Sequence, residues 1–176
     1  MEMGHREFLT ALHGMMLGSV FLVLFSGGVV AILNLGAVGL APDSARRQLR
    51  RIGLAGWVAV IFVWATVLLG TYWVYPWYRA KPPAGAALAG YPKYLLVSNP
   101  KTAEWHEFGM EWKEHIAWLA PILITAAAAI VTFHGQLLVR HANLRRAVLV
   151  LFATAFFCAA VAGAFGALID KAAPVR

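Results

Sequence analysis

Charged residues and cysteine are both scarce in this chain of 176 residues. Only 13% of the residues are charged, roughly half of the share that a soluble domain carries, and 61% are apolar. The mean hydropathy is +0.69. A chain of this length cannot bury so much apolar surface in one water-soluble core. The composition therefore predicts an integral membrane protein, with the lipid bilayer as its solvent.

The single cysteine, Cys158, excludes an intrachain disulfide. The sequence also lacks a Cys-x-x-Cys-His motif for covalent haem attachment and a cysteine set for a cluster or for zinc. Acidic residues are few, so the formal net charge is +7. The basic residues lie between apolar runs, which indicates topology signals and lipid-headgroup contacts. We expect no nucleic-acid partner.

Four apolar runs are long enough to cross a bilayer, which takes about 20 residues of helix. The first run is far longer than the apolar part of a signal peptide, so we expect it to be retained. The runs predict an all-α bundle of four transmembrane helices, forming a single membrane domain over residues 1–176. They cover about residues 9–35, 53–77, 115–133 and 147–169.

The connections between the runs differ in charge. Segments 42–52 and 135–146 hold seven of the 15 basic residues and one of the eight acidic residues. Positively charged connections remain in the cytoplasm. We therefore expect both termini and the long connection, about 78–114, on the non-cytoplasmic side of a bacterial inner membrane, in the periplasm.

Histidine is the residue type here that most suggests chemistry, because ionisable groups in a membrane span are costly and usually functional. His13, His115 and His134 border or enter the apolar runs. The predicted orientation places His13 and His115 at a similar depth, within roughly two helical turns of the outer surface. His134 follows His115 by 19 residues, or ~28 Å of helix, and has no histidine partner at its level.

Two histidines at one level on different helices predict bis-histidine ligation of one haem b by His13 and His115. Gly14 and Gly18 leave room for a flat macrocycle, and Trp118 can pack on its edge. The structural alternative is that both histidines contact headgroups or hydrogen-bond between helices.

The same region also suits a quinone. Glu114 precedes His115, and Tyr72 or Tyr75 lies close by in the predicted topology, so these groups can exchange quinol protons. A third interpretation is a copper site with His106 and Met110 beside His115, since copper takes histidine and thioether ligands. No tight ligand repeat supports copper.

These patterns favour a membrane subunit of a respiratory or photosynthetic electron-transfer complex. It holds one haem b near the periplasmic face or is linked to a quinone, and it contacts other membrane subunits. The alternative is a cofactor-free accessory or assembly subunit, whose segment 104–114 docks a periplasmic partner such as a cytochrome. Neither a hydrolytic triad nor a phosphate-binding glycine loop is present in the sequence.

Overall fold

The computed structural model describes residues 4–35 and 41–175, the side chain of Met16 excepted. Four helices in it are long and apolar enough to span a membrane. They are α1 (His5–Asn34), α2 (Pro42–Tyr78), α4 (Pro100–Arg140) and α5 (Ala142–Ala172), with a short helix α3 (Pro92–Val97) between α2 and α4. The prediction of an all-helical, multi-pass membrane protein is confirmed.

Helices that follow one another along the chain also pack against one another. α1 packs on α2, α2 on α4 and α4 on α5, while α5 closes the bundle against α1. This order places α1 and α4 diagonally across the bundle. Phe25 of α1 stacks on Phe156 of α5 with ring centroids 4.3 Å apart. A Cβ at Gly28 would lie 2.9 Å from the Phe152 ring, so glycine permits this close approach.

The helices extend beyond the apolar runs from which they were predicted. The four arginines of segment 42–52 lie in the first turns of α2, which begins at Pro42. The segment before the third run is also helical, because α4 begins at Pro100 and Asn99 caps it by accepting from the Lys101 amide at 3.0 Å. The long connection therefore shortens to residues 79–99.

The helical hydrogen bonding is irregular at one end of the bundle, where α1 and α4 begin and α2 and α5 end. We call this the outer end, after the predicted orientation. Pro121 lacks an amide hydrogen and its ring crowds the carbonyl of residue 117, and a tighter 3₁₀ turn lies just before it, at Ile116–Trp118. Wider π-helical turns occur at Leu12–Met16, Gly70–Val74 and Trp105–Met110.

The larger of two apolar clusters packs between the spanning helices and includes Ile32, Ile124 and Phe152. The second apolar cluster covers the outer end. Tyr78, Met110 and Ile169, from three spanning helices, pack there with Leu96 of α3. The connection between α2 and α4 is thereby fixed on the bundle. Several polar side chains near this cluster are partly shielded from solvent.

Candidate functional site

His13 enters the bundle from the first π-helical turn of α1. Its Nδ1 lies 2.7 Å from the Thr66 carbonyl oxygen of α2. The imidazole packs directly on Gly70, where a Cβ would lie 3.0 Å from each ring nitrogen. His13 therefore joins α1 to α2 at a place where π-helical turns occur in both helices.

His115 lies on the outside of α4. Its side chain is 67% exposed, and its Nδ1 is 3.1 Å from the Glu111 carbonyl oxygen and 3.3 Å from the Glu111 carboxylate. His13 is therefore packed against α2, whereas the His115 side chain is largely exposed. No hydrogen bond, ion pair or ring contact joins His13 to His115 among the described residues.

The two histidines share one feature that suits metal ligation. Each has its Nδ1 at a backbone carbonyl, so that its Nε2 is the nitrogen left for another partner. Histidines that bind metals are commonly held in this way. The predicted haem ligation by His13 and His115 stays a prediction.

The other residues predicted around a haem lie in separate places. A Cβ at Gly14 or Gly18 would meet nothing within 4 Å, so both open away from their neighbours. Trp118 packs edge-on against Trp64 at 6.1 Å. The Tyr72 side chain is 64% exposed. The grouping of these residues around a haem stays a prediction.

Glu114 lies close to residues at the end of α2. Its carboxylate interacts with the hydroxyl of Tyr75, near the end of α2. The same hydroxyl accepts a 2.7 Å hydrogen bond from the Arg79 guanidinium, which lies 5.4 Å from the Tyr75 ring. The hydrogen bond to Tyr75 raises the pKa of Arg79, so its guanidinium remains charged over the working pH range.

Tyr78 and His106 form a second pair beside the first. The Tyr78 hydroxyl lies 2.9 Å from His106 Nδ1, and the Tyr78 ring stacks near Tyr75 at 6.4 Å. Glu114 is within electrostatic reach of Tyr78 and His106. We call the five residues of these two groups the outer-end cluster: Tyr75, Tyr78, Arg79, His106 and Glu114.

The residues of the predicted copper site are otherwise engaged. Met110 is buried in the second apolar cluster, and His106 contacts Tyr78. Across residues 4–35 and 41–175, no three side chains of histidine, cysteine, aspartate or glutamate converge as metal ligands. The copper prediction gains no ligand set from this arrangement.

Lys113 was not identified from the sequence. Its ammonium lies 3.5 Å from the Ala162 carbonyl of α5, over Gly166, and is within electrostatic reach of Asp170 and His13. Its position three residues after Met110, on an otherwise aromatic and apolar face, was the available signal. The outer end thus holds a cation between α4 and α5.

Comparison with known proteins adds no relative. The chain matches no family model, no curated protein and no solved structure.

Proposed function

We propose that this chain is the quinone-linked membrane subunit of an electron-transfer complex, and that a quinone head group binds at the outer-end cluster. The observation that carries the proposal is that Glu114 and Arg79 both interact with the Tyr75 hydroxyl. The haem interpretation has weaker support, because His115 is exposed beside Glu111 while His13 packs on α2.

The residues of the outer-end cluster fit a quinone by their chemistry. Arg79 and Tyr75 are hydrogen-bond donors suited to a carbonyl oxygen. Glu114 is a carboxylate beside the Tyr75 hydroxyl and can accept a proton. A quinol bound here would supply two electrons and two protons on oxidation to the quinone. A one-electron acceptor in the complex, reduced twice per quinol, would take up both electrons, and the two protons would leave through the cluster.

The same residues provide a path for protons. Glu114 holds a proton at its carboxylate and exchanges it through the Tyr75 hydroxyl. The Tyr78–His106 pair, within electrostatic reach of Glu114, relays protons towards the outer surface. A neutral imidazole can accept a proton at one ring nitrogen and donate one from the other, which suits that step.

A binding titration tests the proposal. A short-chain quinone is added to the purified chain in detergent, and quenching of tryptophan fluorescence is followed, since Trp77 and Trp73 lie close to Tyr75 in α2. We expect saturable quenching in the wild type. The affinity for the quinone should be about tenfold lower in Tyr75→Phe and in Glu114→Gln, because each variant loses one hydrogen bond to a charged or desolvated group.

Two matched variants serve as controls. Tyr72→Phe removes an exposed hydroxyl three residues away on the same helix, and Glu111→Gln removes an exposed carboxylate one turn away. Both should titrate like the wild type. Quenching that rises without saturation and equally in all five proteins would reflect partition into detergent and would contradict the proposal.

Haem b ligation by His13 and His115 is the second candidate, favoured by the Nδ1–carbonyl contact of each histidine. Within one chain it requires His115 to turn from Glu111 towards the interior. Haem content per chain, measured as the pyridine haemochrome of the intact complex, tests it. The haem proposal expects one haem, lost in His13→Ala and His115→Ala and retained in His134→Ala. A haem-free complex would remove this candidate and leave the quinone proposal intact.

The accessory role remains a third candidate because the outer end of α4 carries an exposed acidic and aromatic stripe. Glu104, Glu107 and Glu111 are exposed, and Phe108 among them is 61% exposed. Trp112, by contrast, donates to the Cys158 carbonyl at 3.3 Å and holds α4 on α5. A basic periplasmic partner is complementary to the stripe. Phe108→Ala should release such a partner from the complex, whereas retention of every subunit would exclude docking there.

A further inference from the structure

A groove of about 680 Å³ lies between α1 and α2, at the end of the bundle opposite the outer-end cluster. Each helix contributes residues at i, i+3, i+4 and i+7, which is the spacing of one helical face. The α2 wall consists of Ser44, Arg47, Gln48 and Arg51, and the α1 wall consists mainly of Gly27, Val30, Ala31 and Asn34.

The rim of this groove is positively charged. Arg47 donates to the Ser44 hydroxyl at 3.2 Å, and Gln48 donates to the Ala31 carbonyl at 2.8 Å, which ties the two walls together. Within the described part of the chain, no carboxylate forms an ion pair with Arg47 or Arg51. Two guanidinium groups therefore line the groove without an internal anion.

Apart from Ser26, the α1 wall is apolar on the side nearer the middle of the bundle. Gly27 and Val30 are about two turns and one turn before the end of α1 at Asn34. Gly27 has no side chain and Val30 is 58% exposed, so this part of the α1 surface faces outward. In a membrane helix an exposed apolar surface of this kind faces acyl chains.

We propose that this groove is a binding site for an anionic phospholipid. Arg47 and Arg51 hold the phosphate, Ser44 and Asn34 supply hydrogen bonds to the head group, and one acyl chain lies along Gly27 and Val30. The long arginine side chains reach the headgroup level from helix positions below it. The groove is large enough to hold a lipid head group together with part of one acyl chain.

The site is independent of the quinone proposal and lies at the end of the bundle that the charge distribution assigns to the cytoplasm. Anionic lipids are enriched on that side of a membrane, and each basic residue at the surface strengthens their attraction. A lipid is the favoured anion because one groove combines two arginines with the exposed apolar surface of α1. A soluble phosphate would use the rim alone.

Native mass spectrometry of the full chain in neutral detergent tests the site. Phosphatidylglycerol, phosphatidylcholine and inorganic phosphate are added separately at equal concentration. We expect phosphatidylglycerol alone to give adducts that are retained in the mass spectrum. In a thermal melt of the same samples, phosphatidylglycerol alone should raise the unfolding temperature. Arg47→Gln with Arg51→Gln should weaken that binding by roughly tenfold or more.

Arg46→Gln with Arg50→Gln is the matched control, because it removes the same charge from the same turns of α2 outside the groove. This variant should bind phosphatidylglycerol like the wild type. Equal loss in both double variants would overturn the site, and so would equal binding of phosphatidylcholine by the wild type. Equal stabilisation by inorganic phosphate would show an anion site that does not recognise lipid, and would also overturn the proposal.

Discussion

Gly70 is the residue that lets His13 enter the bundle. The imidazole occupies the space that the Cβ of any other residue type at position 70 would fill. From there its Nδ1 lies 2.7 Å from the Thr66 carbonyl oxygen. The contact exists because one helix supplies a ring and the other supplies no side chain. His13 is therefore fixed by packing as well as by its hydrogen bond.

Gly70→Ala should destabilise the protein by about 1–3 kcal/mol, the usual cost of overpacking a close contact. A Cβ there clashes with His13 Cε1, and moving the ring lengthens its hydrogen bond to Thr66. The measurement is unfolding by sodium dodecyl sulfate in mixed micelles. Gly163→Ala is the control, because a Cβ at Gly163 meets nothing within 4 Å and should cost little. Equal stability of both variants would show that His13 does not pack on Gly70.

The sequence predicts the contacts of single side chains less well than it predicts the helices. His13 is recognisable as an ionisable group entering an apolar run, and Glu114 as an acid beside a histidine. The partner of His13 is not recognisable, because it is a backbone carbonyl. For Glu114 the sequence offers Tyr72 or Tyr75, and the choice between them depends on the rotation of α2 about its axis. The predicted pairing of His13 with His115 rested on depth alone, and equal depth does not fix the face on which a side chain lies.

Two matching hydrogen bonds connect the central helices α2 and α4. The Trp57 indole donates to Thr132 at 3.0 Å, and the Trp64 indole donates to Thr125 at 3.2 Å. The two donors are seven residues apart on α2, and the two acceptors are seven apart on α4, in the reverse order expected for antiparallel helices. This repeat fixes the register between the two helices.

A double-mutant cycle on Trp64→Phe and Thr125→Val should give a coupling free energy of about 0.5–1.5 kcal/mol, the range for hydrogen bonds between membrane helices. The unfolding of the four proteins of the cycle in mixed micelles measures it. Pairing Trp64→Phe with Thr132→Val instead should give a coupling near zero, because these side chains belong to different hydrogen bonds. A coupling of the same size in both cycles would contradict the register.

Helix boundaries were predicted less well than helix existence, and α4 shows the reason. Apolar composition marks where a helix crosses hydrocarbon, whereas the helix itself continues for as long as its backbone is satisfied. α4 begins at Pro100, where Asn99 provides the cap, and it runs through charged residues to the apolar part. The capping residue Asn99 is visible in the sequence, but hydropathy alone does not show that a helix begins there.

At the scale of the whole molecule, the four spans followed directly from composition and length. Their order around the bundle also agrees with short connections between successive helices. The orientation in the membrane is still a prediction from the two arginine-rich segments. In the quinone proposal, this orientation decides which compartment exchanges protons with the outer-end cluster.

Labelling of single cysteines measures the orientation. In a Cys158→Ala background, Ala84→Cys lies on the exposed connection between α2 and α4, and Asn143→Cys lies in the exposed first turn of α5. A maleimide that cannot cross membranes should label Ala84→Cys in intact spheroplasts and Asn143→Cys only after lysis. The reverse pattern would invert the topology and place the outer-end cluster in the cytoplasm.

The most direct test of the quinone proposal follows the proton on Glu114. Infrared difference spectra are recorded on the purified complex as its bound quinone is reduced and reoxidised. We expect a carboxylic-acid carbonyl band that changes with the redox state, shifts in deuterium oxide, and is absent in Glu114→Gln but present in Glu111→Gln. Difference spectra that are the same in the wild type and in Glu114→Gln would contradict it.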